Sequence, residues 1–201
     1  MTRISVIDYG VGNLFSMKNA LQKTSADVEI VKSPDEILAA EGVVLPGVGN
    51  FGAAAEKLGS IADALRQAAR DGTPILGSCL GLQLLFERSE EANGEGLGLL
   101  RGGIIKFKGE LKIPHMGWNT IEATRESLLL EGIPDNSYFY FVHSYYPEPD
   151  NPEDTLAETI YDKRFTSIVE RENIYGTQFH PEKSGKPGAA LLSNFVRLIR
   201  R

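Results

Sequence analysis

Thr73-Pro74-Ile75-Leu76-Gly77-Ser78-Cys79-Leu80-Gly81-Leu82-Gln83 is the stretch that decides the fold. The apolar run from Thr73 to Gly77 reads as a buried strand, and Leu80 to Arg88 reads as the helix that follows it. A strand that turns directly into a helix belongs to a parallel sheet, whose neighbouring strands must be joined by crossovers. The same unit recurs upstream. Ile4 to Ile7 is a β-branched strand ended by Asp8-Tyr9-Gly10-Val11-Gly12-Asn13, after which Leu14, Met17 and Leu21 recur at helical spacing. Val28 to Val31 predicts a strand, Pro34 to Ala40 a short helix and Gly42 to Leu45 a third strand. The loop Pro46-Gly47-Val48-Gly49-Asn50-Phe51-Gly52 then leads into one helix from Ala53 to Asp71. Such alternation implies right-handed crossovers and helices on both faces of the sheet.

The second half changes character. Gly103 to Phe107, Tyr138 to Val142, Thr155 to Ile160, Thr166 to Glu170 and Ile174 to Phe179 are short apolar segments separated by turn-forming or charged residues. They read as mostly antiparallel strands that extend the sheet. After the turn Gly185-Lys186-Pro187-Gly188, the residues Ala189, Leu192, Phe195, Val196 and Ile199 mark a closing helix. The expected fold is α/β, an open, mixed, mainly parallel sheet flanked by helices with an antiparallel extension, in one domain spanning residues 1–201.

Composition narrows the chemistry. The chain has 201 residues, 42% apolar, with 9 Phe, 7 Tyr and 1 Trp, enough to bury a real core and to exclude disorder. A net charge of -6 is the wrong sign for binding nucleic acid through counterion release. One cysteine, Cys79, excludes an internal disulfide, and His115, His143 and His180 do not cluster with it at zinc-ligand spacing, so no metal is expected. Asp8 breaks the first apolar run before a signal-peptide core forms, and no 18 apolar residues run together. The expectation is a cytoplasmic chain with no membrane partner.

Gly77-Ser78-Cys79-Leu80-Gly81 has the form of a nucleophile elbow, a strained strand-to-helix turn flanked by small residues that exposes its central side chain. The helix start aims free N–H groups and positive dipole at the thiol and favours the thiolate. A thiolate needs a base, and Phe179-His180-Pro181-Glu182 offers one at a strand end. Pro181 keeps His180 extended, so His180 and Glu182 project to one side about 7 Å apart at Cα, and the carboxylate can orient the imidazole. Gly47 and Gly49, at the carboxyl end of the third strand, permit peptide conformations that form an oxyanion hole. Gly10-Val11-Gly12 is no dinucleotide fingerprint, because Phe15 stands where the third glycine would fall, and no cofactor is expected.

Gly77 to Gln83 and His180-Pro181-Glu182, about a hundred residues apart, together resemble the class I glutamine amidotransferases. Within that class Asp8 to Leu14, Pro46 to Gly52, Pro114-His115-Met116-Gly117-Trp118-Asn119 and Val142-His143-Ser144-Tyr145-Tyr146 are similar to the glutaminase subunits of imidazole glycerol phosphate synthases. The resemblance implies Cys79 as nucleophile toward the glutamine amide, His180 as general base and acid, and Glu182 as its orienter. It implies N–H groups of Leu80 and of the Val48-Gly49 segment as the oxyanion hole. Gln83, Glu91, Ser144 and Tyr145 fall at positions that bind the substrate. Glu91 also reads, with Glu87 to Glu90, as a solvated helix end. His115 and His143 read as structural or substrate-lining. Ser78 departs from the aliphatic residue usual before the nucleophile.

A glutaminase domain of this length leaves almost no residues for a second site that consumes ammonia. The resemblance supplies, as partner in a heterodimer, a (β/α)8-barrel synthase subunit that makes imidazole glycerol phosphate and aminoimidazole carboxamide ribotide in histidine biosynthesis. Gly10, Asn13, Met116 and Trp118 lie in the loop-like segments expected at that interface. The glycines of Gly47-Val48-Gly49 also lower the cost of turning an oxyanion donor in or out, which suits activation by the partner. Two alternatives are a glutaminase serving a surface-sugar or anthranilate synthase, and a non-catalytic module of the same fold.

Overall fold

The computed structural model describes residues 2–59 and 61–200. Four strands open the chain, β1 (Arg3–Ile7), β2 (Asp27–Val31), β3 (Gly42–Gly47) and β4 (Ile75–Cys79), with the helices α1 (Leu14–Gln22), α2 (Pro34–Leu38), α3 (Phe51–Leu58), α4 (Ile61–Arg70) and α5 (Leu80–Leu84) among them. Then follow β5 (Phe86–Ser89), β6 (Leu100–Lys106), β7 (His115–Thr120), β8 (Glu122–Ala123), β9 (Tyr138–His143) and β10 (Tyr145–Pro149). The chain closes with β11 (Thr155–Tyr161), β12 (Lys163–Arg171), β13 (Ile174–Thr177) and α6 (Gly185–Ile199).

The main sheet has the order β2-β1-β3-β4-β13-β12-β11-β8, parallel from β2 to β13 and antiparallel beyond. Because both faces are covered, the first strands are nearly continuous apolar runs whose alternate residues enter different cores. Ile7, Leu45 and Ile75 pack with Ile37 of α2, Phe51 and Leu58 of α3 and Leu65 of α4. Ile4, Val6, Val44 and Leu76 pack on the other side with Met17 and Leu21 of α1 and with Leu192 and Phe195 of α6. Ser33 caps α2 through a reciprocal bond with Glu36, and Asn13 and Asn50 cap α1 and α3 through their side-chain oxygens.

Several expectations are corrected. The helix expected over 53–71 is two, parted at Gly59, whose φ of 42° ends α3. The helix expected over 80–88 stops at Leu84, and Phe86–Ser89 becomes a strand parallel to β6. Residues 103–107 and 138–142 do not extend the main sheet. They belong to β6, in a sheet of order β10-β6-β5, and to β9, paired with β7 alone. Pro114 to Asn119 is therefore mostly strand rather than loop. Ile174–Thr177 runs parallel to β4, and Gly185 to Gly188 is the first turn of α6, where Pro187 lacks no bond the helix needs. No described helix is long and apolar enough to cross a membrane.

Phe195 is fully buried and meets Tyr175 edge-on at 5.9 Å. Phe195→Ala should cost about 3–5 kcal/mol, read as a lower midpoint in urea unfolding. Arg164→Ala, which removes a half-exposed pair with Glu122, should leave the midpoint close to wild type. Equal effects of the two would show that the core of this face is not where the structure puts it.

Candidate active site

Strand register assembles the site. Strand β4 lies between β3 and β13, with Cys79 beside Gly47 and Ser78 beside Thr177, so the ends of three parallel strands meet at one rim. Cys79 itself sits at φ 54°, the left-handed turn expected of an elbow. The turn closes because a Cβ at Gly77 would stand 2.6 Å from the Leu82 nitrogen, and one at Gly81 would overlap the Leu45 carbonyl. The first N–H groups of α5, from Leu80 onward, have no intrahelical acceptor.

The Cys79 Sγ lies 3.9 Å from the Val142 carbonyl and 3.8 Å from Gln178 Nε2. His180 Nδ1 is 2.9 Å from Glu182 Oε1, and both side chains are buried. The expectation that Glu182 continues an extended strand is corrected: Pro181–Lys183 is a 3-10 turn, and only His180 is extended. The turn brings the carboxylate back to the ring, so the contact forms by a different route. Pairing of the His180 N–H with the Tyr140 carbonyl, and of its carbonyl with Ser184 Oγ, fixes the backbone on both sides. Burial pulls the His180 pKa down, but its interactions with the Cys79 sulfur and with Glu182 outweigh it and raise it to about 9. With Nδ1 taken by Glu182, Nε2 is the atom left for the sulfur; it has no other partner.

A cleft of about 270 Å³ opens beside the thiol, lined by Val48, Gly49, Leu80, Gln83, Glu91, Pro114, His143, Ser144 and Tyr145 as well as Cys79 and Val142. All seven expected oxyanion and substrate residues thus reach one cavity. Gly49 has φ 116° with open space around it, a conformation that favours glycine. Gly47 needs no such freedom. It lies in β3, and a Cβ there would overlap the Tyr9 hydroxyl, so its smallness makes room for a neighbour. Glu91 is no helix end: it follows β5, and its carboxylate accepts from the Phe51 N–H at 2.6 Å while facing the cleft. Gln83 is buried and donates to the Tyr145 carbonyl at 3.2 Å.

His143 lines the cleft and His115 stands behind it, ring nitrogens 3.0 Å apart. Burial lowers the His143 pKa to about 3, with His115 and His180 pushing the same way against the Tyr145 carbonyl, and burial lowers His115 to about 4. Met116 and Trp118 are 62% and 56% exposed on the other face of β7. Gly10 and Asn13 are exposed beyond β1, in a loop that packs on the Pro46-Gly47 segment: a Cβ at Gly12 would sit 3.3 Å from Pro46. Sequence reasoning missed Gln178, which lies just past the end of β13 and whose amide reaches the Cys79 sulfur, and Tyr9, whose hydroxyl donates to the Pro46 carbonyl at 2.7 Å. Among the described residues no group of three or more His, Cys, Asp or Glu could hold a metal ion.

A family model described as Glutamine amidotransferase class-I matches residues 5–199. The imidazole glycerol phosphate synthase subunit HisH of Methanocaldococcus jannaschii is 47% identical over 198 residues, covering 98% of this chain and 100% of that one. The protein of the same name from Thermococcus kodakarensis is 49% identical over 201 residues, covering 97% and 100%. A solved structure of the glutaminase domain of Trypanosoma brucei CTPS, with bound acivicin, aligns with a TM-score of 0.73 at 18% identity over 100% of this chain and 94% of that one, a likeness of fold.

The two lowered histidines fix a sign. Between pH 6.5 and about 4 the unfolded chain takes up protons that folded His115 and His143 refuse, so stability should fall as pH falls through that window. Urea midpoints measured from pH 6.5 to 4.5, below the range in which the raised His180 acts with the opposite sign, should drop in wild type and drop less in His115→Phe. Parallel curves would mean that His115 is free to protonate in the folded chain.

Proposed function

The chain belongs to the class I glutamine amidotransferases, and on that premise we propose that it is the glutaminase subunit of imidazole glycerol phosphate synthase, supplying ammonia for histidine biosynthesis. The observation that carries the reading is a cysteine on a left-handed elbow that opens into a small cleft and has a buried His-Glu pair beside its sulfur.

The chemistry follows from the arrangement. Cys79 Sγ, as thiolate, attacks the side-chain amide carbon of a glutamine held in the cleft. Negative charge then grows on the amide oxygen, where the Leu80 N–H and a peptide N–H of Val48-Gly49 stabilise it, a role worth several kcal/mol. His180, charged at neutral pH, passes its Nε2 proton to the departing nitrogen, and ammonia leaves a thioester on Cys79. The neutral imidazole next takes a proton from water as that water attacks the thioester, releasing glutamate and restoring the imidazolium. Glu182 holds the ring through Nδ1 in both halves of the cycle. Gln83, Glu91, Ser144 and Tyr145 orient the amino-acid end of the substrate.

Ammonia freed into water would be protonated and lost as a nucleophile, so the acceptor site belongs close by, on a partner chain. A barrel-shaped synthase subunit covering the cleft fits this need. The exposed side chains Met116, Trp118 and Tyr138 on the β7/β9 pair, with Phe15 two residues past Asn13, give it apolar and aromatic landing surface. The pairing of β7 with β9 makes this surface continuous with Val142, whose carbonyl touches Cys79. We place this assembly in the cytoplasm, where a free reactive thiol is kept reduced.

In the assembled complex Cys79→Ala should abolish synthesis from glutamine and spare synthesis from added ammonium salts. His180→Asn should behave likewise, and Glu182→Gln should be milder, losing about 10- to 100-fold. Loss of both activities in Cys79→Ala, with the complex intact, would refute separate sites for making and using ammonia. Trp118→Ala should weaken assembly or uncouple the two activities; a titration against the partner that matches wild type in both would remove β7 from the interface.

A further inference from the structure

A buried chain of hydrogen bonds runs behind the cleft, and the reaction just described does not use it. Asn119 Nδ2 donates to the Ile160 carbonyl at 2.9 Å and lies 3.3 Å from His115 Nε2. His115 Nδ1 is 3.0 Å from His143 Nε2, and His143 Nδ1 is 2.7 Å from the Tyr145 carbonyl. The donors can be assigned from the ends inward. A carbonyl only accepts, so His143 Nδ1 carries a proton. A neutral ring has one such proton, which leaves His143 Nε2 an acceptor and makes His115 Nδ1 the donor to it. His115 Nε2 is then bare, as the Asn119 amide requires, and that amide is oriented by the Thr120 N–H, which donates to Asn119 Oδ1 at 2.8 Å. Each imidazole is thereby held in its Nδ1–H form, the less common one in water.

We propose that His115, oriented by Asn119, is a positioning residue for glutamine binding: it locks His143 in the Nδ1–H form, and His143 in turn pins the Tyr145 carbonyl at the wall of the cleft. This rests on the reading of that cleft as the glutamine site. Two carbonyls in succession are tied down here. The Ser144 carbonyl accepts from the Phe107 N–H at 3.1 Å, and the Tyr145 carbonyl accepts from both His143 and Gln83. Since a trans peptide sets its N–H opposite its carbonyl, anchoring the Ser144 carbonyl on Phe107 turns the Tyr145 N–H to the other side. Without the His115 proton, His143 Nε2 is a buried acceptor with no partner, and the ring, held by one bond instead of two, can turn away from Tyr145.

The His115 ring has a second job that separates from the first. It is sandwiched between Phe141 at 4.8 Å and Tyr161 at 4.0 Å, nearly parallel to both, a packing role that any flat ring fills. His115→Phe keeps the sandwich and removes the donor, whereas His115→Asn removes the sandwich and keeps an N–H donor close to the Nδ1 position. The two variants should therefore rank in opposite orders. His115→Phe should melt above His115→Asn and raise the KM for glutamine about tenfold in the complex, with kcat within about twofold. His115→Asn should melt lower and hold KM within about threefold. Ammonia-dependent synthesis serves as the control for an intact complex. KM that follows melting temperature in both variants, or that moves in neither, would overturn the proposal.

A second measurement is independent of turnover. The chain has only three histidines, so imidazole nitrogen chemical shifts at neutral pH resolve them. His115 and His143 should each show a protonated Nδ1 and a bare Nε2, and His143 should change in His115→Phe. A proton on His143 Nε2 in the wild-type chain would overturn the relay. Failure of the wild-type complex to use glutamine at all would instead remove the functional reading and leave the spectra to decide the relay.

Discussion

A side chain of even one carbon at position 81 would overlap the Leu45 carbonyl, and the approach of α5 to β3 that this glycine permits is the contact on which the cleft depends. Without it the helix would stand farther from the sheet and the turn at Cys79 would relax. The left-handed φ at Cys79 costs about 1–3 kcal/mol, a strain that persists only where surrounding packing over-determines it. Here the packing is severe: Gly77, Gly81, Leu82 and Leu45 leave the turn no other path. The same closeness sets the free N–H groups of α5 beside Gly47 and puts Cys79 between β3, which leads into the Val48-Gly49 loop, and β13, which leads to His180. Position and strain are thus one property of the sheet.

Three histidines show how burial alone fails to decide charge. All are nearly inaccessible, yet His180 is raised to about 9 while His143 and His115 are lowered to about 3 and 4. The difference lies in their neighbours. His180 has a carboxylate on one nitrogen and a sulfur for the other, and these negative or polarisable partners offset its desolvation. His143 faces a carbonyl and another imidazole, which stabilise a neutral ring but do little for a charged one. One imidazole whose charged form is favoured therefore stands near two held neutral, the latter in an aromatic cluster where Phe141 meets both His143 and His115.

The βα units at the start of the chain were legible because their strands leave short runs rich in β-branched residues, Ile4 to Ile7 and Val28 to Val31 among them, that turn residues punctuate. The elbow and the His-Pro-Glu string were legible because each needs particular residues at fixed spacing. Other features were not. Leu80, Leu82, Leu84, Leu85 and Phe86 are all buried, so no polar face reveals where helix gives way to strand. Gly59 ends α3 inside a run whose apolar spacing continues into α4. The expected segments at 103–107 and 138–142 are strands, but nothing in their pattern says which sheet they join, since that is decided by partners far along the chain.

Strand β7 was hidden for a different reason. Pro114, Gly117 at φ 131° and an exposed tryptophan give His115 to Thr120 the composition of a loop, and only pairing with β9 makes it a strand. Once paired, its residues obey the period of two. Met116 and Trp118 stand on the solvent side with Tyr138 and Tyr140, while His115 and Asn119 turn inward with His143 and Phe139. A slip of one residue would exchange the two sets, exposing the imidazoles and burying the tryptophan against no pocket. The register that matches His115 with His143 therefore fixes the outer surface and the inner hydrogen-bond chain together. Whatever docks on Met116 and Trp118 rests on a strand whose other face holds the wall of the cleft.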